Sequence, residues 1–141
     1  MSTDHTHPLV RLETLALIAV GGVTGASLRH LVDGAFPEVA AVLLVNVVGS
    51  ALLGFVTHEA VSGDLLDRRT RVLLTTGFCS SLTTYSAFAV QTALAGSPLA
   101  LVAVVAGNYG LGVAAVVGSR ALARRVLERD EPTAASGGET A

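Results

Sequence analysis

Residues 77–88 have the sequence Gly77-Phe78-Cys79-Ser80-Ser81-Leu82-Thr83-Thr84-Tyr85-Ser86-Ala87-Phe88, and they lie in the middle of a long uncharged stretch. From Val72 to Val105 the only ionisable side chains are Cys79 and Tyr85, which is typical of a segment surrounded by lipid. Polar groups at bilayer depth are costly unless they line a cavity, pair with each other or hold an ion. This hydroxyl-rich segment is therefore a candidate ion site.

The composition favours a membrane protein. The chain has 141 residues, of which 51% are hydrophobic. Only 14% are charged, whereas roughly a quarter of the residues in an ordinary soluble domain are charged. The net charge of -2 and the absence of lysine argue against a nucleic-acid partner. A single cysteine, Cys79, excludes an internal disulfide framework, and we interpret it as a packing residue.

Four apolar segments each approach the ~20 residues that a helical membrane span requires. They run from about Leu12 to Leu31, Val39 to Thr57, Val72 to Leu94 and Pro98 to Gly118. We therefore expect an all-α membrane protein with four transmembrane helices within residues 12–120. Residues 1–11 form a polar N-terminal tail in this interpretation, and residues 121–141 form a cytoplasmic, partly disordered C-terminal tail. Four helices make a thin wall around a pore, so we also expect an oligomer.

The arginines are distributed unequally between the two sides of this predicted topology. With four spans, both termini and the loop around residues 63–71 share one side of the membrane. That side holds Arg11, Arg68, Arg69, Arg71, Arg120, Arg124, Arg125 and Arg129, and the opposite side holds Arg29. Positively charged residues are enriched in cytoplasmic loops, so the pattern predicts that both termini are cytoplasmic.

Several polar and aromatic side chains lie within or beside the predicted spans. Arg29 is either an interfacial anchor or a cation that draws an anion toward a vestibule. Asn46 and Asn108 either join helices or offer N–H donors to an anion in a pore. Tyr85 and Phe88 are three residues apart and share a helix face, where their ring edges either attract an anion or pack.

The hydroxyls of the third span also affect its backbone. Serine and threonine side chains bond backbone carbonyls and loosen helical hydrogen bonding. The hydroxyls of Ser80, Ser81, Thr83, Thr84 and Ser86 can therefore open the helix at this place. Carbonyl oxygens freed by such a break are ligands for a small hard cation such as sodium.

A soluble alternative begins from residues 15–27, which can be interpreted as a strand, a glycine turn and a helix start of the nucleotide-binding type. The short-chain dehydrogenases that this string echoes use a tyrosine–lysine pair, and the chain has no lysine. No strand with a following acidic residue comes at the expected distance. We reject this alternative.

Three motifs follow one another along the chain. Gly-Gly-x-x-Gly-Ala-x-x-Arg begins at Gly21, Asn-x-x-Gly-Ser-x-x-x-Gly begins at Asn46, and Gly-Phe-Cys-x-x-Leu-Thr-Thr-x-Ser-x-Phe begins at Gly77. Together they resemble the motifs of the CrcB/Fluc fluoride channels. The resemblance implies a channel, not an enzyme, that exports fluoride passively across the plasma membrane of a bacterium. It also implies an antiparallel dimer with two pores.

The resemblance implies roles for individual residues as well. A structural Na⁺ at the dimer interface would be held by backbone oxygens at the break, at the positions of Ser80 and Thr83. The family usually has Gly-Gly where this chain has Ser80-Ser81. The positions matching the fluoride pathway are Asn46, Thr84, Tyr85, Ser86, Phe88 and Asn108, and Arg29 matches a structural position near the vestibule.

The arginine pattern predicts a particular kind of dimer. An antiparallel homodimer requires each chain to insert in both orientations, which balanced arginines favour. The unequal distribution therefore predicts pairing with a homologous second subunit of opposite orientation. Two alternatives stay open: a non-conducting structural or regulatory subunit, and a four-helix exporter of small molecules. The exporter is disfavoured because no predicted span interior contains an aspartate or glutamate for proton coupling.

Overall fold

The computed structural model describes residues 8–62 and 65–129, which are helical apart from short connections. The elements are α1 (Pro8–Ala35), α2 (Glu38–Ser62), α3 (Arg68–Val72), a π-helical turn (Leu73–Cys79), α4 (Ser80–Leu82), α5 (Tyr85–Ala93) and α6 (Pro98–Arg129). We call residues 68–93 the third segment. These described residues contain no strand, and α1, α2 and α6 are long and apolar enough to cross a membrane. The prediction of an all-helical membrane protein is confirmed at this level.

The helix bounds are wider than the apolar spans of the sequence. α1 begins at Pro8, inside the predicted N-terminal tail, and α6 continues to Arg129, inside the predicted C-terminal tail. At 1.5 Å per residue, α6 is about 48 Å long, whereas a bilayer core is about 30 Å thick. The last turns of α6 therefore extend past the apolar layer. Residues 1–7 and 130–141 lie outside the described part of the chain.

Local hydrogen bonds explain where several helices begin. Pro98 occupies the first position of α6, where its missing N–H costs nothing, and the Ser97 hydroxyl accepts from the Ala100 N–H at 3.2 Å. Asp67 caps α3 by accepting from the Thr70 N–H at 3.0 Å. Hydrogen bonding from the Thr70 side chain and backbone lowers the pKa of Asp67 below its ordinary value.

Neighbouring contacts establish the directions of the helices. A Cβ added at Gly54 in α2 would lie 3.0 Å from Val116 of α6, and the Asn46 amide contacts Asn108, so α2 and α6 run parallel. α1 runs parallel to the third segment, because Gly21 lies against Gly77 and Gly25 against Phe78. The chain therefore passes up and down between α1, α2, the third segment and α6.

The α1 backbone touches the backbone of the π-helical turn. A Cβ at Gly77 would lie 2.9 Å from Gly21 Cα and 2.9 Å from the Ile18 carbonyl oxygen. Neither helix accommodates a side chain at this contact. Close backbone approach through small residues is how helices associate in lipid, where there is no hydrophobic drive between them.

Two ion pairs tie together one end of the bundle. Arg69 pairs with Glu13, which joins the start of the third segment to the start of α1. The Arg71 guanidinium lies 3.2 Å from Glu59, which is fully buried near the end of α2 and also accepts from the Leu66 N–H at 2.9 Å. The helices place eight arginines at this end: Arg11, Arg68, Arg69, Arg71, Arg120, Arg124, Arg125 and Arg129.

The opposite end is joined by Gln91 and carries Arg29. The Gln91 side-chain N–H donates to the Glu38 carbonyl at 3.0 Å, which connects α5 to the start of α2. Arg29 lies near the end of α1, at the side away from the two ion pairs. The arginines are therefore distributed very unequally between the two ends of the bundle.

The apolar side chains of the bundle lie mainly on its outside. Val45, Val56 and Leu82 are almost fully buried, whereas Val23, Leu99 and other large apolar side chains are well over half exposed. Such a surface is unstable in water, since apolar surface is driven out of contact with it. Lipid or another protein chain must cover these faces.

Candidate functional site

The third segment is interrupted at two threonines. Thr83 (φ -74°, ψ 157°) and Thr84 (φ -144°, ψ 118°) have extended backbones, which separate α4 from α5. The Thr84 hydroxyl oxygen then caps α5 by accepting from the Ala87 N–H at 3.3 Å. The π-helical turn lies directly before α4, a geometry that is frequent at functional sites.

The Asn46 amide binds the backbone at this interruption. Its Oδ1 accepts from the Thr84 N–H at 2.9 Å, and its Nδ2 donates to the Thr84 carbonyl at 3.2 Å. In a continuous helix the Thr84 N–H would donate to the Ser80 carbonyl. The side chain of Asn46 thus replaces a backbone hydrogen bond that the extended conformation removes.

The same amide reaches α6. Asn46 Nδ2 donates to Asn108 Oδ1 at 3.1 Å, and Asn108 Nδ2 donates to the Val104 carbonyl one turn earlier in α6, at 3.0 Å. Three separate parts of the bundle therefore meet at Asn46. Both asparagines therefore join helices, as one of the two alternatives from the sequence has it, and both line the cavity described below.

Three aromatic rings form a chain beside the amides. The Tyr85 and Phe88 ring centroids are 5.9 Å apart with the planes tilted by 50°. Phe88 and Tyr109 are 5.7 Å apart in an edge-to-face arrangement at 87°. Phe88 is buried, whereas Tyr85 is 75% exposed and lies at the surface of the chain. Edge-to-face rings present positive hydrogen edges, which are suited to an anion.

A cavity of about 600 Å³ brings these groups together, and its lining contains no charged side chain. Seven of the predicted site residues line it: Asn46, Ser80, Thr83, Thr84, Tyr85, Phe88 and Asn108. Ser86 and Arg29 do not. Ser86 is exposed with its hydroxyl 3.3 Å from the Thr84 hydroxyl, and Arg29 has no hydrogen bond or ion pair within residues 8–62 and 65–129.

Several hydroxyls of the third segment donate to carbonyls one turn earlier in the same segment. Thr75 donates to the Arg71 carbonyl at 2.8 Å, Ser80 donates to the Thr76 carbonyl, and Thr83 donates to the Cys79 carbonyl at 3.0 Å. The hydroxyl-rich composition therefore shapes the backbone more than it supplies donors to the cavity. This is the backbone-loosening effect expected of serine and threonine in helices.

Three of the hydroxyl groups in the cavity are available to an ion. Ser50, Tyr85 and Tyr109 line the cavity, and their hydroxyls have no partner in the described part of the chain. Ser50 and Tyr109 were not among the predicted pathway residues. Tyr109 follows Asn108 directly in the sequence. A polar aromatic residue next to an amide within an apolar segment is the pattern that could have indicated its place in the cavity. Ser50 belongs to the Asn46 motif and lies one turn after Asn46.

The donor set of the cavity restricts the ions it suits. No group of three or more histidine, cysteine, aspartate or glutamate side chains occurs in the residues that the structure describes. A transition-metal centre of the usual kind is therefore not formed by these residues. The cavity offers N–H and O–H donors, ring edges and backbone carbonyls, which suit a small anion or a hard cation.

Comparisons with known proteins identify the family. The family model described as CrcB-like protein, Camphor Resistance (CrcB), matches residues 16–120. A Haloarcula marismortui protein named fluoride-specific ion channel FluC 1 is 45% identical over 119 residues, covering 84% of this chain and 92% of that protein.

Two further relatives carry the name fluoride-specific ion channel FluC. The Methanopyrus kandleri protein is 42% identical, covering 79% of this chain and 90% of its own length. The Chlorobaculum tepidum protein is 35% identical, covering 80% of this chain and 96% of its own length. The matched region includes the break, both asparagines and all three rings of the cavity. This chain belongs to the CrcB family.

Proposed function

We propose that this chain is a subunit of a channel that passes fluoride passively across the plasma membrane and so lowers its concentration in the cytoplasm. The observation that carries the proposal is the uncharged cavity, which joins two amides and three aromatic rings at an interrupted helix. The relatives' names, fluoride-specific ion channel, support fluoride as the permeant ion.

The chemistry of the cavity is suited to a small, strongly hydrated anion. Such an ion enters only where fixed donors replace its water, and it leaves only if no single group binds it too strongly. Amide N–H groups and ring edges meet both conditions, since neither carries a full charge. The pathway in this proposal follows Asn46, Thr84, Tyr85, Phe88 and Asn108, with Tyr109 added.

The third segment acts as a fourth membrane span in this proposal. Residues 68–93 run parallel to α1 and pack on it through Gly77, and their hydropathy is lowered by the hydroxyls around the break. Irregular backbone at membrane depth is tolerated where it lines a cavity and its polar groups are satisfied. The Asn46 bonds to Thr84 meet that requirement.

A structural Na⁺ at the break, at the positions of Ser80 and Thr83, is part of the same proposal. Two oxygen acceptors at the break are suited to such an ion. The first is the Ser80 carbonyl, which the Thr84 N–H does not occupy because it donates to Asn46. The Thr83 hydroxyl donates to Cys79, which leaves its own oxygen lone pairs as acceptors. When bound, the ion would supply a fixed positive charge at the break.

We further propose an antiparallel dimer with a homologous second subunit, and with both termini of this chain cytoplasmic. The eight arginines at one end of the bundle support a single orientation. The exposed side of the cavity, where Tyr85 is 75% exposed, supports a partner that completes the wall.

Fluoride efflux from liposomes tests the proposal. The chain is reconstituted alone and together with a reversed-bias homologue from the same genome, and release is followed with a fluoride electrode, with chloride as the control. We expect fluoride release only from the paired sample and no chloride release. Release from the chain alone would overturn the two-subunit requirement. An intact heterodimer without release would support the non-conducting alternative.

A further inference from the structure

The hydrogen bonds of Asn46 determine which way its amide points. The Thr84 N–H donates to Asn46 Oδ1, and Asn46 Nδ2 donates to the Thr84 carbonyl. A backbone N–H only donates and a carbonyl only accepts, so the reversed amide would place donor against donor and acceptor against acceptor. The backbone of Thr84 thus selects one orientation.

This orientation then determines that of Asn108. The remaining N–H of Asn46 donates to the partner amide, so Asn108 turns its Oδ1 toward Asn46. Its Nδ2 consequently lies beside the Val104 carbonyl, to which it donates at 3.0 Å. The two amides form a directed chain that begins at the backbone of the break and ends in α6.

The donors of the two amides are used unequally. A carboxamide carries two N–H groups. Both N–H groups of Asn46 are occupied, one by Thr84 and one by Asn108. Asn108 uses one N–H for Val104, and its other N–H has no acceptor in residues 8–62 and 65–129. Asn108 lines the cavity, so this N–H is the amide donor left for an ion there.

We propose that the two asparagines have different roles: Asn46 is a positioning residue that holds the break in place, and Asn108 is the amide that donates to fluoride. The inference rests on the proposed channel function. If Asn46 donated to fluoride, it would have to release either the Thr84 carbonyl or Asn108. A carbonyl left unpaired in the wall of a membrane cavity is unfavourable, whereas Asn108 can donate its unused N–H to the ion without breaking a hydrogen bond.

Hydrogen exchange without fluoride tests the positioning role. Exchange is measured by mass spectrometry on a peptide covering residues 80–88 in Asn46→Ala, Asn108→Ala and the lipid-facing control Val48→Ala. We expect about tenfold faster exchange at Thr84 in Asn46→Ala, which corresponds to loss of the hydrogen bond to its N–H. The other two variants should change this exchange by less than about threefold. Unchanged or slower exchange in Asn46→Ala would overturn the positioning role.

Fluoride flux through the assembled channel tests the donor role. We expect Asn108→Ala to raise the half-saturating fluoride concentration by about tenfold, as for one lost bond to a charged ligand. Asn46→Ala should lower the maximal flux instead. The reverse assignment of these two effects would overturn the proposal.

A variant that keeps part of the Asn46 network guards against misfolding. Asn46→Asp retains the acceptor for the Thr84 N–H, so slow exchange at Thr84 should persist although flux falls. Fast exchange in this variant would contradict the role assigned to Oδ1. If the unmodified channel passes no fluoride, the proposed function fails, while the exchange comparison still decides whether Asn46 holds the break.

Discussion

Phe88 is the ring at the centre of the aromatic chain. It is buried, it lies in the first turn of α5 after the break, and it contacts Tyr85 on one side and Tyr109 on the other. Its place in the helix follows directly from the Thr84 cap, which starts α5. A change in the break would therefore move the ring that faces the cavity.

Replacing Phe88 with leucine is expected to reduce fluoride flux at least about tenfold while costing about 1 kcal/mol of stability. The loss of stability reflects two aromatic contacts, each worth about 0.5–1.5 kcal/mol and partly replaced by leucine packing. Flux falls further because leucine has no positive ring edge. Efflux from liposomes and thermal unfolding in detergent measure the two effects.

Phe36→Leu serves as the control for this substitution. Phe36 lies in the connection between α1 and α2, is half exposed and does not line the cavity. Its replacement should leave the flux within about twofold of the unmodified channel. Equal flux in the Phe88 and Phe36 variants would show that the ring edge is not used by the ion.

The contact of α1 with the π-helical turn determines how close two helices approach. The two backbones meet at Gly21 and Gly77. A methyl group added at either glycine would lie within 3.0 Å of backbone atoms of the other helix. The turn leads directly into α4 and the break. Packing at this contact and the geometry of the break are therefore mechanically linked.

Gly77→Ala is expected to destabilise the fold by about 1–3 kcal/mol, the usual range for forcing a methyl group into a closed contact. Gly34→Ala is the matched control, because a Cβ there meets nothing within 4 Å near the end of α1. It should be neutral or stabilising by up to about 1 kcal/mol, since alanine is the better helix former. Unfolding temperatures in the same detergent compare the two, and equal values would contradict the close contact.

The buried ion pair between α2 and the start of the third segment should also matter for stability. Glu59→Gln removes the charge opposite Arg71, and breaking one partner of a buried pair costs about 3–5 kcal/mol. Because the Arg71 side chain is partly exposed, we expect the lower end of that range. Unfolding of the detergent-solubilised protein measures the change.

Glu13→Gln provides the comparison for Glu59→Gln. Its pair with Arg69 joins the same end of the bundle but is largely exposed, so its loss should cost less than about 1 kcal/mol. A similar loss of stability in both variants would mean that the buried ion pair of Glu59 contributes no more to stability than the exposed pair of Glu13. Both changes remove one negative charge from the same end of the bundle, so the comparison shows how the stability effect depends on the burial of the carboxylate.

The unequal distribution of arginines is the basis of the proposed orientation of the chain in the membrane. The described arginines gather at the end held by the two ion pairs, and Arg29 lies toward the other. Because cytoplasmic flanks retain positive charge, one orientation is favoured over the other. A subunit of this kind needs an oppositely oriented partner to build an antiparallel dimer.

Cysteine labelling in whole cells tests the orientation. In a Cys79→Ser background, Ala35→Cys at the end of α1 should react with a membrane-impermeant maleimide, whereas Leu9→Cys should react only after the cells are permeabilised. Reaction at both positions in intact cells would indicate two orientations. That result would favour a homodimer and contradict the prediction of a second subunit.

Amino-acid composition along the chain was sufficient to predict the helical membrane class, the apolar segments and the arginine asymmetry. These properties depend on which residues occur in each segment and on their transfer between water and lipid. The motif resemblance added the family and seven of the residues that line the cavity. It also placed Arg29 and Ser86 at the site, although neither lines the cavity.

The partners of each polar group follow from the way the helices pack. Asn46 bonds Thr84, which is 38 residues away, and Asn108, which is 62 residues away, because α2 lies between the third segment and α6. The Tyr109 contact with Phe88 depends on the same arrangement. Composition and spacing show that an amide is present at membrane depth, but its hydrogen bonds depend on which helices meet there. For that reason the division between an occupied Asn46 and an available Asn108 is visible only in the folded chain.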